Sequence, residues 1–233
     1  LWEESSFYHG VNIAMGLKYP ALYYQQTGEK QLLEAVERNY QQLMTAYGQQ
    51  PGGMFAADEN IRPGYNDPRQ GAETCTMVEM MFTWETLLKI TGETIAADRV
   101  EDIAFNSLPA SMTPDLRGLH YLTAANLISC DRSGEHDFQN SGTLLSYDPW
   151  SYRCCQHNVA FGWPYFSEHL WLATSDQGVA AVIYAPSIVE LKVGQKGQVV
   201  RLIEDTSYPF SGKITFTVFS EEEVEFPLYL RLP

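Results

Sequence analysis

Residues 150–158 read Trp-Ser-Tyr-Arg-Cys-Cys-Gln-His-Asn, and they place two adjacent cysteines, Cys154 and Cys155, at the end of an aromatic, strand-like run. A second unusual group, Glu73-Thr74-Cys75, stands at the start of a long helical pattern. Three thiols and one carboxylate are sufficient for a closed four-coordinate zinc site. The functional prediction therefore depends on a fold that brings these two distant stretches together.

The same residues permit other interpretations. Four cysteines could form two disulfides, but adjacent cysteines bridge each other only with strain, and disulfide scaffolds are shorter and richer in cysteine. Cys154 and Cys155 could also be small apolar residues of a core strand. Glu73 could simply cap a helix beside a buried Cys75. Residues two apart in a helical turn point about 200° apart, so within one turn these two side chains would not share a ligand. A metal shared by Glu73 and Cys75 then requires the helix to begin at or after Cys75. Cys130 lies in a polar stretch, and no neighbouring motif in the sequence indicates a partner for it.

Composition narrows the classes of partner. The chain has 233 residues, 45% of them hydrophobic, so it can bury the core of one large domain or two smaller ones. With 29 acidic against 15 basic residues and a net charge of −14, it offers no basic surface for nucleic acid. No apolar run approaches the roughly 20 residues of a membrane helix. The chain starts at Leu1 and ends in a strand-like run, so we expect it to be cut from a longer polypeptide whose N-terminus is missing.

Helical periodicity dominates the first half of the chain. Apolar residues recur at helical spacing and predict helices over 11–26, 30–47, 73–90 and 95–107. The tripeptide Thr-Gly-Glu ends one helix and precedes the next at 27–29 and again 64 residues later, at 91–93. This pattern is typical of stacked helical hairpins, although two unrelated helix pairs could share the same stop. The polar stretch 48–71 is too long for a simple connection, which favours a functional loop.

The second half of the chain changes character. Residues 111–127 are strand-like, 129–149 form a polar loop, and 158–174 are predicted to be a helix that starts or breaks at Pro164. Five short strands follow, separated by Gly, Pro and Ser turns, over 179–184, 188–193, 199–204, 213–219 and 226–232. We therefore predict a helical domain over 1–174 and the beginning of an antiparallel β domain over 175–233.

Several polar residues could form a sugar site. Asp58 and Glu59 lie in the long loop, and glycosidases use a protonated carboxylic acid together with a nucleophile across the sugar. A solvated loop acid is the alternative for both residues. His9, Glu101 and Tyr121 could contact a sugar, although each of these residue types alone is more often a core or surface residue.

Four motifs together resemble a known family. They are Gly71-Ala72-Glu73-Thr74-Cys75, Val78-Glu79-Met80-Met81, Arg153-Cys154-Cys155 with Asn158, and Thr206-Ser207-Tyr208-Pro209 with Gly212-Lys213. The combination resembles the bacterial β-L-arabinofuranosidase family of glycoside hydrolases, family 127 and its relatives. The resemblance runs through nearly the whole chain, and its specific part is Glu-x-Cys followed by Cys-Cys.

The resemblance implies a mainly α fold with β structure. Residues 1–174 would be the C-terminal part of an (α/α)6-barrel catalytic domain, and residues 175–233 an incomplete β-sandwich. It further implies a zinc ion on one carboxylate and three thiols, which carry over as Glu73, Cys75, Cys154 and Cys155. Cys154 would also be the nucleophile.

The resemblance also implies the remaining roles. Glu59 would be the acid/base, with the adjacent Asp58 as the alternative, and His9, Glu101 and Tyr121 would contact the sugar. The substrate would be an oligosaccharide or polysaccharide that loses β-L-arabinofuranose with retained configuration. A bacterial cytoplasmic or periplasmic location is expected.

Three alternatives remain at the level of sequence. Gln156-His157 stands where many relatives have prolines, so the same scaffold could hydrolyse another plant-polysaccharide glycoside. The chain could instead be a non-catalytic carbohydrate-binding fragment stabilised by zinc. It could also be inactive alone, because six helical hairpins cannot be built from these residues.

Overall fold

The computed structural model describes residues 8–64, 70–127, 129–131, 138, 143–147, 150 and 153–233. The chain is mixed α and β and divides into two compact units, residues 1–165 and residues 166–233. The mixed class agrees with the predicted one, whereas the barrel, the sandwich and the domain boundary at 174 stay predictions. Among the helices in the described ranges, none has both the length and the hydropathy to cross a membrane.

The helices lie almost entirely in the first unit. They are α1 (Gly10–Gly16), α2 (Tyr19–Thr27), α3 (Gln31–Tyr47), α4 (Thr74–Thr91), α5 (Ile95–Asp102), α6 (Leu108–Ala110) and α7 (Cys154–Glu168). The predicted helix over 11–26 is two helices, since the chain breaks around Leu17 and Lys18 and restarts with a proline in the first turn of α2. The other three predicted helices of this half are present within a few residues.

The two Thr-Gly-Glu turns have the same geometry. Gly28 and Gly92 both adopt the left-handed conformation, with φ 71 ψ 9 and φ 71 ψ 8. In each turn the threonine hydroxyl accepts a hydrogen bond from the glutamate N–H two residues later, at 3.2 and 3.1 Å. Because glycine reaches this conformation without a Cβ penalty, it ends α2 and α4 in the same way and starts two similar hairpins.

The predicted helix over 95–107 does not stop before Pro109. A π-helical segment, Ile103–Ser107, follows α5 and leads directly into α6, which contains Pro109. A proline in a helix clashes with the carbonyl four residues earlier and lacks a donor. In the wider π turn, the carbonyl four residues before Pro109 has a different position from the one in a regular α-helix. The helix can therefore continue through the proline.

Helix α4 is the centre of the first unit and packs against α1, α2 and α5. The predicted apolar stripe is buried, and its members are Met77, Met80, Met81, Trp84, Leu87 and Leu88. Polar residues on other faces of α4 are buried as well. One of them is Thr83, whose hydroxyl donates a hydrogen bond to the Ala14 carbonyl at 2.7 Å. Each large apolar side chain buried here contributes about 2 kcal/mol.

Short strands connect the helices of the first unit. Strand β1 (Ala72–Glu73) pairs with β3 (Leu122–Thr123), and β2 (Gly118–His120) pairs with β4 (Leu144–Ser146), both antiparallel. The strand-like stretch 111–127 thus contains two short strands. Most of the predicted loop 129–149, and residues 151 and 152 of the aromatic run, lie outside the described residues.

The helix predicted over 158–174 is displaced. Helix α7 begins at Cys154, contains Pro164 and ends at Glu168, and β5 (Trp171–Ala173) follows it. Residues 171–173 pair antiparallel with β6 (Val179–Ala181), and this pairing outweighs the local helical period. The paired cysteines are therefore the first residues of a helix rather than the end of a strand.

The second unit consists of strands. All five predicted strands occur, as β6, β7 (Ser187–Val193), β8 (Gln198–Thr206), β9 (Ile214–Ser220) and β10 (Leu228–Leu230). The order is β10-β6-β5 in one sheet and β7-β8-β9 in the other. The predicted antiparallel arrangement is wrong at one pair, because β10 runs parallel to β6. The intervening strands provide the long crossover that a parallel pair requires.

Candidate active and metal site

The junction of β1 and α4 positions the first two candidate ligands. Glu73 is extended, with φ −78 and ψ 136, and α4 begins at the next residue. The Thr74 N–H donates to the Tyr121 carbonyl at 3.1 Å, and its hydroxyl donates to the His120 carbonyl at 2.7 Å. The helix thus begins one residue earlier than a shared Glu73–Cys75 site was predicted to allow. One extended residue before the helix is enough to bring both side chains to the same side.

The first turn of α7 supplies the other two candidate ligands, Cys154 and Cys155. The Sγ atoms of Cys75 and Cys155, 80 residues apart in the chain, lie 3.2 Å from each other. Glu73 Oε1 is 3.7 Å from Cys154 Sγ and 3.7 Å from Cys155 Sγ. All four ligand atoms lie within 4.8 Å of one another, and all but the half-buried Cys154 are buried. The two stretches singled out in the sequence therefore meet.

The spacing of these atoms can be compared with that of a tetrahedral zinc site. Bonds of about 2.3 Å to sulfur and about 2.1 Å to oxygen give sulfur–oxygen edges of about 3.6 Å and sulfur–sulfur edges of about 3.8 Å. The two sulfur–oxygen distances of 3.7 Å agree, while the Cys75–Cys155 distance of 3.2 Å is shorter. This group of thiols and a carboxylate fits a soft divalent cation.

The thiols differ in their tendency to ionise. Hydrogen bonds from Cys155, Cys75 and Tyr121 lower the pKa of Cys154 to about 2. The hydrogen bond with Cys154 raises the pKa of Cys75, and burial raises the pKa of Cys155. Cys154 is thus the thiol whose pKa its neighbours lower, and it is also the most accessible of the three.

The Glu73 carboxyl resists ionisation as well. Burial, followed by the charge of Glu59, raises the pKa of Glu73 to about 8. Without a cation, the protein thus favours one thiolate among largely protonated neighbours. A divalent cation would allow all four groups to ionise together, because it compensates their mutual repulsion.

Tyr121 connects the thiolate with a second carboxylate. Its Oη lies 2.9 Å from Cys154 Sγ, and the same hydroxyl hydrogen-bonds Glu59. Burial, followed by the bond to Cys154, raises the pKa of Tyr121, so its hydroxyl keeps its proton. The family resemblance implied Tyr121 only as a sugar contact, and no feature of the sequence indicated this hydrogen bond to the nucleophile candidate.

The loop that carries Glu59 lies against the start of α1. Residues His9 and Asn60 form an isolated β-bridge, and the Gly10 N–H donates to the Glu59 carbonyl at 2.8 Å. A Cβ on Gly10 would lie 2.7 Å from the Ala57 side chain, so only glycine permits this approach. Glu59 itself has φ 83, a conformation that is uncommon for residues other than glycine and that concentrates at functional sites.

His9 lies between the two glutamates of the site. Its Nε2 is 3.3 Å from Glu59 Oε2 and 3.3 Å from Glu73 Oε2. These three residues form a second group of potential metal ligands that shares Glu73 with the thiol group. The His9 ring therefore faces both carboxylates, while its role as a sugar contact stays a prediction.

The Asp58 carboxylate does not face this group of ligands and is bound by Arg62. Arg62 Nη2 donates to both of its carboxylate oxygens at 2.8 Å and also to Gln70 Oε1 at 2.8 Å. The Asp58 side chain is 2% exposed, compared with 26% for Glu59. Arg62 was not singled out in the sequence, because an Asp and an Arg four residues apart in a loop give no periodic signal.

The remaining candidates lie apart from these groups. Glu101 is buried on α5 and belongs to neither ligand group, so its role as a sugar contact stays a prediction. Cys130 donates to the Ser111 carbonyl at 3.2 Å and lines a cavity of about 590 Å³ with the π-helical residues 105–107. Cys130 is outside the thiol group, as expected.

Known proteins of similar fold are glycoside hydrolases. A GH127 β-L-arabinofuranosidase from Geobacillus stearothermophilus T6 aligns over 97% of this chain and 35% of its own, with a TM-score of 0.73 and 20% identity. The GH127 β-arabinofuranosidase BT3674 aligns over 97% of this chain and 33% of its own, with a TM-score of 0.75 and 20% identity. A further glycoside hydrolase aligns over 97% of this chain and 40% of its own, with a TM-score of 0.72 and 19% identity. The chain thus spans well under half of each of these proteins. No curated protein matches the sequence.

Sequence models of one family cover both units of the chain. The GH127 catalytic domain of β-L-arabinofuranosidase matches residues 9–168, and the middle domain of the same family matches residues 178–233. The first match includes the thiol group, Glu59, His9 and Tyr121. The chain therefore belongs to the β-L-arabinofuranosidase family of glycoside hydrolases, family 127.

Proposed function

We propose that the protein containing this chain is a retaining glycoside hydrolase that releases L-arabinofuranose from β-L-arabinofuranosides. Membership of family 127 supports the class of reaction. The observation that carries the proposal is the Tyr121 hydroxyl, which is bonded to both the Cys154 sulfur and the Glu59 carboxylate. A double displacement requires a nucleophile and an acid/base group at one site, and this contact joins one of each.

Zinc is the metal that the donor set favours, with Glu73, Cys75, Cys154 and Cys155 as its ligands. When bound, it would keep the three thiols deprotonated and hold the Cys154 sulfur in a fixed position. This role differs from the usual activation of a water molecule, since all four ligands come from the protein.

In the first step, Glu59 in its protonated form donates its proton to the glycosidic oxygen. The Cys154 thiolate forms a carbon–sulfur bond at the anomeric carbon while the carbon–oxygen bond to the leaving group breaks. Tyr121 can accept a hydrogen bond from the Glu59 carboxyl and donate one to the thiolate, which holds both groups ready for this step. The product is a thioglycosyl intermediate and a free aglycone alcohol.

In the second step, the Glu59 carboxylate takes a proton from a water molecule. The water oxygen attacks the anomeric carbon, and the carbon–sulfur bond breaks to restore the Cys154 thiolate. Two inversions give retained configuration, and Glu59 ends in its starting, protonated form. His9, Glu101 and Tyr121 are the proposed sugar contacts.

The pairing of Asp58 with Arg62 supports Glu59 as the acid/base group. Asp58 is fully engaged by one guanidinium nitrogen, whereas Glu59 is partly exposed beside Tyr121. The Asp58 side chain is buried and turned to Arg62, so Glu59 is the better placed of the two carboxylates to reach a bound substrate.

Substitutions of Cys154 and of the two loop acids in the full-length protein test these roles. With an aryl β-L-arabinofuranoside as substrate, Cys154→Ser should lower kcat at least about 100-fold. Glu59→Gln should lower hydrolysis of a natural, poor leaving group by a similar factor of about 100. Asp58→Asn should retain activity within about tenfold, because its amide can still hydrogen-bond Arg62. Loss of activity in Asp58→Asn beside wild-type turnover in Glu59→Gln would move the role to Asp58.

A further inference from the structure

The distances around His9 do not correspond to a well-formed hydrogen-bonding network. Its Nε2 lies 3.3 Å from both Glu59 Oε2 and Glu73 Oε2, yet neither the His9 Nε2 nor the Glu73 Oε2 makes a hydrogen bond. The Glu73 side chain is fully buried, and Oε2 points at this spot rather than at the sulfurs. A buried carboxylate oxygen without a hydrogen bond is costly unless a ligand occupies its direction.

A small cation satisfies this geometry. Tetrahedral zinc with a bond of about 2.0 Å to nitrogen and about 2.1 Å to oxygen gives a nitrogen–oxygen edge of about 3.4 Å. Both observed nitrogen–oxygen distances are 3.3 Å, and the three ligand atoms lie within 4.8 Å of one another. The His9 side chain is 38% exposed, so an ion can arrive from solvent and keep water in the fourth position.

The two ligand groups share one residue but use its opposite oxygens. Glu73 Oε1 faces Cys154 and Cys155 at 3.7 Å, and Glu73 Oε2 faces His9 at 3.3 Å. A bridging carboxylate of this kind is how neighbouring metal ions are held about 4 Å apart in two-metal sites. The second position has harder donors, one imidazole and two carboxylates, than the first.

We propose that His9, Glu59 and Glu73 form a second, weaker divalent-cation site, and that an ion bound there inhibits the enzyme. The ion would occupy Glu59 and His9, so it would remove the acid/base group and a sugar contact together. The inhibitory consequence rests on the proposed function, whereas the binding of a second ion does not.

Metal titration of the full-length protein tests the binding. Equilibrium dialysis against Zn²⁺ should give two ions per chain, and the second should be the weaker. In His9→Ala and in Glu59→Gln, the affinity for the second ion should fall at least about tenfold, with the first ion unchanged. Glu37→Gln, a change of a surface carboxylate, should leave both unchanged. A single ion per chain in the wild-type protein at millimolar zinc would overturn the proposal.

Cobalt distinguishes the two positions by their ligands. The first equivalent of Co²⁺ should produce thiolate-to-cobalt charge-transfer absorption, and the second should add none, because its site contains only nitrogen and oxygen. Charge-transfer absorption that grows through both equivalents would place the second ion on the thiols and contradict the proposal.

Kinetics then connect the second ion with catalysis. Excess zinc should raise KM for an arabinofuranoside and leave kcat at saturating substrate unchanged, since ion and substrate compete for His9 and Glu59. Two bound ions without any inhibition would refute the inhibitory role. Failure of the proposed function is a separate result, namely no hydrolysis even with one zinc per chain.

Discussion

The Asp58–Arg62 pair explains how a single residue, Glu59, is held in an unfavourable backbone conformation. Asp58 is anchored by two 2.8 Å contacts to one guanidinium nitrogen, and the Gly10 N–H donates a hydrogen bond to the Glu59 carbonyl from the other side. Between these anchors the chain passes through φ 83 at Glu59, at a cost that the surrounding contacts offset. The position of the proposed acid/base group is thus determined by its neighbours rather than by its own rotamer alone.

Removal of the anchor should disturb catalysis through position. Arg62→Ala leaves the buried Asp58 without its cation, which we expect to cost about 3 kcal/mol of unfolding free energy. The value of kcat should fall while the zinc content stays near wild type. Arg62→Lys should restore most activity, because a single nitrogen makes the contacts to both Asp58 oxygens and to Gln70. Equal losses in Ala and Lys variants would contradict a positioning role.

At the scale of helices, the two Thr-Gly-Glu turns define equivalent hairpins. Sequence spacing predicted them, and the left-handed glycines with their threonine hydrogen bonds confirm that the two stops have one geometry. Side chains also connect the two hairpins. The Arg99 guanidinium on α5 donates two hydrogen bonds to the Glu37 carboxylate on α3, at 2.9 and 3.0 Å. The same guanidinium lies over the rings of Tyr40 and Trp84, at 4.1 and 4.4 Å.

The glycine caps give a matched pair of substitutions. Gly28→Ala and Gly92→Ala should each lower the unfolding free energy by about 1 kcal/mol, because both have φ 71 while a Cβ would meet nothing within 4 Å. Gly16→Ala is the control, since it also has open space but no positive φ, and it should be neutral or stabilising by up to about 1 kcal/mol. Denaturant unfolding measures all three. A large difference between Gly28→Ala and Gly92→Ala would contradict the equivalence.

The Glu37–Arg99 bond should give a pH-dependent contribution. The hydrogen bond from Arg99 lowers the pKa of Glu37 below its ordinary 4.5. The pair therefore stabilises the native state above that pH, and the contribution is lost as the pH falls through the lowered pKa. Because Glu37 is half-exposed, Glu37→Gln should cost only about 0.5 kcal/mol at pH 7. A cost that persists at pH 3 would argue against this ionic origin.

At the scale of the whole molecule, the order of helices and strands followed from sequence periodicity, but the site required tertiary contacts. The Cys-Cys and Glu-x-Cys motifs predicted a metal cluster, and the fold brings all four ligand atoms together. The end of α7 was mispredicted because residues 171–173 pair with β6, and the local helical period does not record that pairing. Arg62 and the bond from Tyr121 to Cys154 were missed because they depend on loops whose path no periodicity records.

Metal should also contribute to stability, because the ligands come from β1, α4 and α7, elements far apart in the sequence. Removal of zinc from the full-length protein with a chelator should lower the thermal midpoint by at least about 5 °C, since binding to the native state alone stabilises it. Cys155→Ser should reproduce the loss without chelator. Cys130→Ser, outside the cluster, should not, and equal effects in both variants would contradict a specific contribution of the metal.

The proposed mechanism depends most directly on Cys154 as the nucleophile, and intact-protein mass spectrometry can test this role. In the Glu59→Gln variant of the full-length protein, an aryl β-L-arabinofuranoside has a leaving group good enough for the first step, but no base remains for the second. We predict that the variant gains the mass of one pentosyl group and that peptide mapping places it on Cys154. An unmodified protein after release of the aryl alcohol, or a pentosyl group on another residue, would contradict the mechanism.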